Sequence, residues 1–436
     1  MRRLELSDIQ GLLTKGYTGL AGAAYFRVEI QNAPDARGWL RAQLAARAID
    51  SAAPVEKHVT SNLSIAFTAR GLQKLGLGED ALRTFVPELR EGMHPAERAR
   101  LLGDVGANNP EQWWWGHADD PIDMLVIAFA HGATEPAITE TEAALKQFGL
   151  VAKILGKADD HEPFGFRDGI SNPHVEGLSR GAPPARAREI RAGEFVLGYP
   201  NEAGYLPASP SVAADATGRL PRLPNGRFDL GRNGTFLVLR QIEQDVDAFR
   251  AFANGRERLA AQLVGRWPSG APVTRYPDCD PGFGHADNDF GYREDRHGLR
   301  CPIGAHVRRS NPRDSLSVHD VTPDAALALA DQHRILRRGR VYEEGGKRGL
   351  VFVCLNANIE KQFEFVQASW VANPEFDGLD GERDALLGPG GQFTRPGAVL
   401  PERVRGLAQF TTLRGGAYFF MPGLRSLEFL AASGAP

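Results

Sequence analysis

The chain has 436 residues, with 51 Lys+Arg against 54 Asp+Glu and a net charge of −3, so it carries no electrostatic footprint for nucleic acid or an anionic membrane. A 42% hydrophobic share and this length match a soluble globular protein of two to three domains. Cys279, Cys301 and Cys354 make neither a disulfide framework nor a C-x-x-C pair, and no apolar stretch follows Arg2-Arg3, so a cytoplasmic protein without a signal or membrane span is expected.

In chain order, 24–30 and 62–68 alternate like strands around an amphipathic helix over 35–49. A buried apolar strand at 124–130, a helix over 140–148 and a strand at 150–155 follow. Strand, helix, strand, then strand, helix, strand is a ferredoxin-like split βαβ order. Residues 196–233, rich in Pro, Gly and Asn, read as a crossover. The second half repeats the theme, with strands at 235–239, 350–355 and 417–421 and helices over 245–263 and 359–371. The sequence therefore predicts an α+β fold of two ferredoxin-like domains with antiparallel sheets, 1–200 and 233–436, joined by 201–232. Within the second lies a loop-rich insertion, 266–320, and loops that long inside a compact domain tend to be functional.

Three segments carry chemistry. Glu162-Pro163-Phe164-Gly165-Phe166-Arg167-Asp168-Gly169-Ile170-Ser171-Asn172-Pro173 sets an acid among aromatics and turn formers. Burial there would raise the pKa of Asp168 toward the operating pH and suit it to proton transfer, although the same residues also spell a plain tight turn. In Cys301-Pro302-Ile303-Gly304-Ala305-His306-Val307-Arg308-Arg309-Ser310-Asn311-Pro312-Arg313, His306 reads either as an axial ligand to haem iron, with arginines to pair the propionates, or as a capped turn with solvated arginines. The basic run His333 to Tyr342 is expected to be a solvated face, with one arginine able to enter a pocket and polarise bound oxygen. His117, after Trp113-Trp114-Trp115, and His319-Asp320 lack a ligand at helical spacing and are expected at the surface or in packing. There is no H-E-x-x-H, Walker loop, dinucleotide fingerprint or nucleophile elbow.

Together these segments resemble the dye-decolorizing peroxidase family of haem proteins. Gly165-Phe166-Arg167-Asp168-Gly169 is similar to its G-x-x-D-G signature, the His306 segment to its proximal-histidine segment, and Leu350-Val351-Phe352 to its distal strand. The resemblance implies one haem b per chain, held in the C-terminal half near the domain interface and ligated by His306. Asp168 and Arg337 would act on hydrogen peroxide from the distal side, and Phe166, Arg167, Gly169, Arg309, Leu350 and Phe352 would contact the cofactor. Gly165 and Gly169 would let backbone approach a flat macrocycle. The implied reaction is peroxide reduction with dyes, phenolics or other small aromatic donors, favoured at acid pH. Trp267, Trp370 and Tyr342 are candidates for relaying electrons from the surface, with core packing as the competing reading. Glu364 or Glu360 is expected to accept the second proton of the proximal histidine. One departure is Gly339, where some bacterial members carry Asn. A haem-handling protein with incidental turnover is the alternative, which the pairing of Asp168 with Arg337 disfavours. No nucleic-acid or membrane partner is expected; a homodimer through exposed sheet faces is.

Overall fold

Alternating and continuous apolar runs put four long strands into each half of the chain, and the two sets share one order. In the first half these are β1 (Gly22–Ile30), β2 (Ser61–Phe67), β3 (Met124–Ala130) and β4 (Gly149–Lys157). They pair antiparallel in the order β4-β1-β3-β2, with α1 (Ala33–Ala45) and α2 (Pro136–Leu145) as the crossovers. In the second half β5 (Thr235–Gln244), β6 (Arg340–Glu344), β7 (Lys347–Asn356) and β8 (Thr411–Met421) pair as β6-β7-β5-β8, the same order read from the other end. The computed structural model describes residues 3–433 apart from 55–58, 134, 184–186, 286, 317–320, 396 and 398, so His319 and Asp320 lie outside the described residues.

The two sheets join at both ends. Lys157 of β4 pairs with Val341 of β6, and Phe67 of β2 with Phe420 of β8, which closes the strands into a ring. Side chains from both halves fill its interior, Tyr25, Leu125 and Phe129 meeting Leu237, Val351 and Phe419 in one cluster. The inner face is therefore core, and helices pack on the outer one. β4 keeps Leu150 open to solvent, 64% exposed. No helix among the described residues is long and apolar enough to cross a membrane.

Sequence and structure part company at several elements. The helix expected over 245–263 is two, α3 (Val246–Ala253) and α4 (Glu257–Val264), broken where Gly255 takes φ +68. The basic run is not a solvated face. Arg338 donates to the carbonyls of Leu12 and Leu13 and Arg340 to those of Tyr17, Leu20 and Ala21, so both guanidiniums clamp buried main chain and β6 can lie in the ring. The 266–320 insertion is held the same way. Arg308 donates to Asp295, Arg296 and Cys301 carbonyls, and Arg313 to those of Asn288 and Phe290. Within it α5 (His306–Ser310) is a single short helix.

Candidate active site

The loop bearing Asp168 is tied down at every backbone N–H from Phe164 to Gly169. Glu162 takes three of them: its carboxylate oxygens accept from Phe164 and Phe166 at 2.9 Å each, and its carbonyl accepts from Gly165 at 2.7 Å. Arg167 N–H goes to Pro268, Asp168 N–H to Asp160, and Gly169 N–H to the Asp168 carboxylate at 2.6 Å. Gln244 of β5 also donates to Glu162, at 2.6 Å, which anchors the loop to the sheet of the second half. Phe164 stacks on Phe249 of α3 at 4.3 Å and Phe166 meets the same ring edge-on at 6.0 Å. That is why this loop carries aromatics: each buried ring contributes about 1.5–3 kcal/mol toward holding a charged segment against the protein.

Opposite stands Arg337. Its backbone N–H donates to Asn172 at 2.9 Å, and its guanidinium lies 3.1 Å from the Asp168 carboxylate. Leu336–Arg337, paired with Leu355 and Cys354, runs on into β6 in one register against β7, and Arg338 N–H between them donates to the Val353 carbonyl at 2.8 Å. Gly339 permits this close approach, since a Cβ there would stand 2.6 Å from the Val351 carbonyl oxygen. The same closeness is a steric reason for Gly here, where some bacterial members of the resembled family carry Asn. The Arg337 charge holds the Asp168 carboxyl below the usual carboxylate range; burial pushes the other way, and the Gly169 N–H adds to the lowering. This corrects the expected direction of that pKa. The Asp168 side chain is 42% exposed, but protein surrounds it in depth and the exposure is to a cavity it lines.

His306 opens α5 and lines the same cavity. Its Nδ1 lies 2.9 Å from Asp384, a fully buried carboxylate whose other oxygen accepts from the N–H groups of Leu386 and Leu387 at 2.9 and 2.8 Å. Burial favours a neutral imidazole, but Asp384 outweighs it and raises the pKa of His306. Burial likewise favours a protonated Asp384, and the His306 charge, its hydrogen bond and the Leu387 N–H together hold that carboxyl low. The Nδ1 contact fixes the tautomer and turns the lone pair of Nε2 outward. Asp384 replaces both acids expected from the sequence. Glu364 instead pairs with Arg98 at 2.6 Å and accepts from Tyr418 at 2.7 Å, and Glu360 does not line the cavity.

Of the other expected contacts, Phe166, Arg167, Leu350 and Phe352 line the cavity, whereas Gly169 and Arg309 do not. Arg309 is fully buried and its two Nη groups donate to the carbonyls of Trp370, Asn373 and Glu382, away from the cavity. Gly165 and Gly169 are explained by φ of +99 and +78 rather than by crowding, because a Cβ at either would meet open space. Trp267, Trp370 and Tyr342 are all buried in packing. His117 accepts from the Asp119 N–H in a local turn. The sequence reading missed Glu162, Arg266 and Arg334, which also line the cavity. Arg266 and Arg334 are desolvated, and burial pulls each guanidinium down to about 10. The remaining wall is mostly apolar. Much of it comes from a helix over 360–371 wound with i→i+5 hydrogen bonds, such as Ala372 N–H to Gln367, which presents Phe363 and Val366 inward.

No family model matches the chain. Dye-decolorizing peroxidase msp1 of Mycetinis scorodonius is 29% identical, across 84% of this chain and 75% of its own. The solved structure of an ancestral D-type dye decolorizing peroxidase superposes with a TM-score of 0.77 at 26% identity, covering 99% of this chain and 100% of that one. Along most of its length the chain is similar to dye-decolorizing peroxidases. A solved dye-decolorizing peroxidase in complex with 2,6-dimethoxyphenol has the same fold, with a TM-score of 0.78 at 24% identity over 98% of this chain and 100% of that one. The likeness accords with the order along the chain of the G-x-x-D-G loop, His306 and Arg337.

Proposed function

We propose that the protein is a cytoplasmic haem b peroxidase, one haem per chain, that reduces hydrogen peroxide while oxidising dyes, phenolics or other one-electron donors. We assign the two ferredoxin-like units to 1–200 and 233–436. The observation that carries the reading is the convergence of Asp168–Arg337 and His306–Asp384 on one apolar cavity.

The residues present fit haem. His306 Nε2 is a free lone pair on an imidazole oriented by a buried carboxylate. Arg167, Arg266, Arg334 and Arg337 line the cavity against only two carboxylates, Asp168 and Glu162, a cation surplus suited to two propionates. Leu350, Phe352, Val264 and Leu386 supply apolar wall for a macrocycle. Bound there, haem would supply the iron that splits the peroxide O–O bond and holds the oxidising equivalents until two donors return them.

The chain's own part is proton handling and charge. Asp168, kept ionised by Arg337, takes the proton from the inner peroxide oxygen and returns it to the outer one, the leaving oxygen. Arg337 offers its remaining N–H groups to the negative charge growing on that oxygen. Asp384 keeps the Nδ1 proton of His306 in place and so keeps Nε2 basic. The buried loop between Glu162 and Gly169 holds the acid at fixed distance from Arg337.

Reconstitution with haem b tests this. The expected result is a Soret band that His306→Ala abolishes, and peroxide-dependent dye oxidation that Asp168→Asn lowers by about 10²–10⁴-fold while the band persists. A colourless folded protein sinks the reading. Haem binding with no peroxide turnover in the wild type reassigns the chain to haem handling.

A further inference from the structure

Beside the main cavity lies a second chamber of about 60 Å³, room for about two water-sized molecules. The two share a wall made chiefly of Ile242, Phe352, Phe363 and Leu387. The far side is formed by Gly103, Asp104 and Asn108, and the intervening Val105, Gly106 and Ala107 are exposed, so the chamber stands between solvent and the site.

Its lining is polar in an unusual balance. Arg240 and Asp104, 5% and 3% exposed, form an ion pair through one nitrogen and one oxygen, which cancels their charges. Arg240 Nε is left buried without a partner. Asn108 uses its Oδ1 for Leu413 and Gln409, and Gln367 uses its Nε2 for Leu102. Among the described residues two further donors, Arg240 Nη1 and Asn108 Nδ2, and two acceptors, Asp104 Oδ1 and Gln367 Oε1, have no hydrogen bond within the protein. Buried polar groups without partners cost about 1–3 kcal/mol each, so the chamber selects a molecule that donates and accepts at once. The ion pair leaves the chamber no net charge to draw in an ion, and the volume excludes an aromatic donor. A small neutral hydroxylic molecule remains.

We propose that this chamber is a side entrance through which hydrogen peroxide reaches the main cavity, crossing the shared wall where the rings of Phe352 and Phe363 pack with centroids 6.2 Å apart and swing aside to let it pass. The inference rests on the peroxidase reading above. Such an entrance would let the small oxidant enter without passing through the mouth of the main cavity.

The test is the haem-loaded double variant Asp104→Leu/Arg240→Met, which replaces the ion pair by apolar groups of similar size and leaves no orphaned charge. Stopped-flow rate constants are compared for hydrogen peroxide, for cumene hydroperoxide, too bulky for the chamber, and for binding of hydrogen cyanide followed by absorbance without turnover. The expected outcome is a fall of about tenfold for hydrogen peroxide and hydrogen cyanide, with cumene hydroperoxide unchanged. Gln367→Leu, which removes one acceptor and the Nε2 bond to Leu102 but no charge, should shift the ratio of the two peroxide rates in the same direction and serves if the double variant does not fold. Equal slowing of all three ligands, or no slowing of any, overturns the entrance and leaves the chamber to structural water. A wild type that shifts its spectrum with cyanide yet reacts with neither peroxide overturns the peroxidase reading itself.

Discussion

Removing the charge at position 337 changes what Asp168 is at a given pH. In the folded protein Arg337 lowers the Asp168 pKa and burial opposes it, so in Arg337→Leu burial prevails and the pKa rises. The acid limb of the peroxide rate constant should therefore move to higher pH in that variant, whereas the wild type stays active further into acid than a free aspartate would allow. The linkage has a definite sign. A depressed folded pKa contributes stability that is present above the unfolded carboxylate value and is lost as pH falls through the folded one. Chemical denaturation at neutral and strongly acid pH should accordingly show a smaller acid loss in Arg337→Leu than in the wild type. Acid preference, expected from a raised Asp168, instead follows from a base that survives in acid. The sequence shows Phe164 and Phe166 beside the acid but cannot show an arginine brought up from the other half, so it gives the wrong direction. Asp384 was hidden for a related reason. It lies in an irregular segment with no periodicity around it, and only the fold brings it to His306. Asp384→Ala should weaken haem retention by about 10–100-fold, read as the rate of haem loss to an acceptor protein.

At the scale of the element, the acid-bearing loop depends on one side chain. Glu162→Gln keeps size and shape but puts an NH₂ where a backbone N–H or Gln244 now donates, so one buried bond is lost. The expected cost is about 1–3 kcal/mol in urea denaturation, together with a slower peroxide reaction as Asp168 loosens. Gly169→Ala probes the backbone separately. Nothing crowds its Cβ, so the strain at φ +78 is the whole penalty, about 1–2 kcal/mol in the same assay. The strands here were legible because apolar runs report burial directly, as in 124–130, which is strand β3 to the residue. β6 was not, because its arginines read as solvent-facing while they donate to buried carbonyls. A guanidinium spent on backbone looks, in sequence, the same as one spent on water.

For the whole molecule, the ferredoxin-like order was legible in both halves, but the ring was not, since nothing local encodes which strand edges meet. The interior core draws Leu125 and Phe129 from one half and Val351 and Phe419 from the other. Expressed alone, 233–436 would expose that face, and it should show neither cooperative thermal unfolding nor native-like circular dichroism, while the full chain melts in one transition. A half that folds and melts cooperatively by itself would contradict this shared core.

Closing the strands also has a consequence for strand edges. An unpaired strand edge is a template on which another chain can add by main-chain hydrogen bonds. Here the outer strands of each half, β6 and β8 on one side and β4 and β2 on the other, cap one another. Each half thus acts as a built-in edge guard for its twin, and a nascent chain becomes protected from strand-by-strand aggregation only once its second half has folded onto the first.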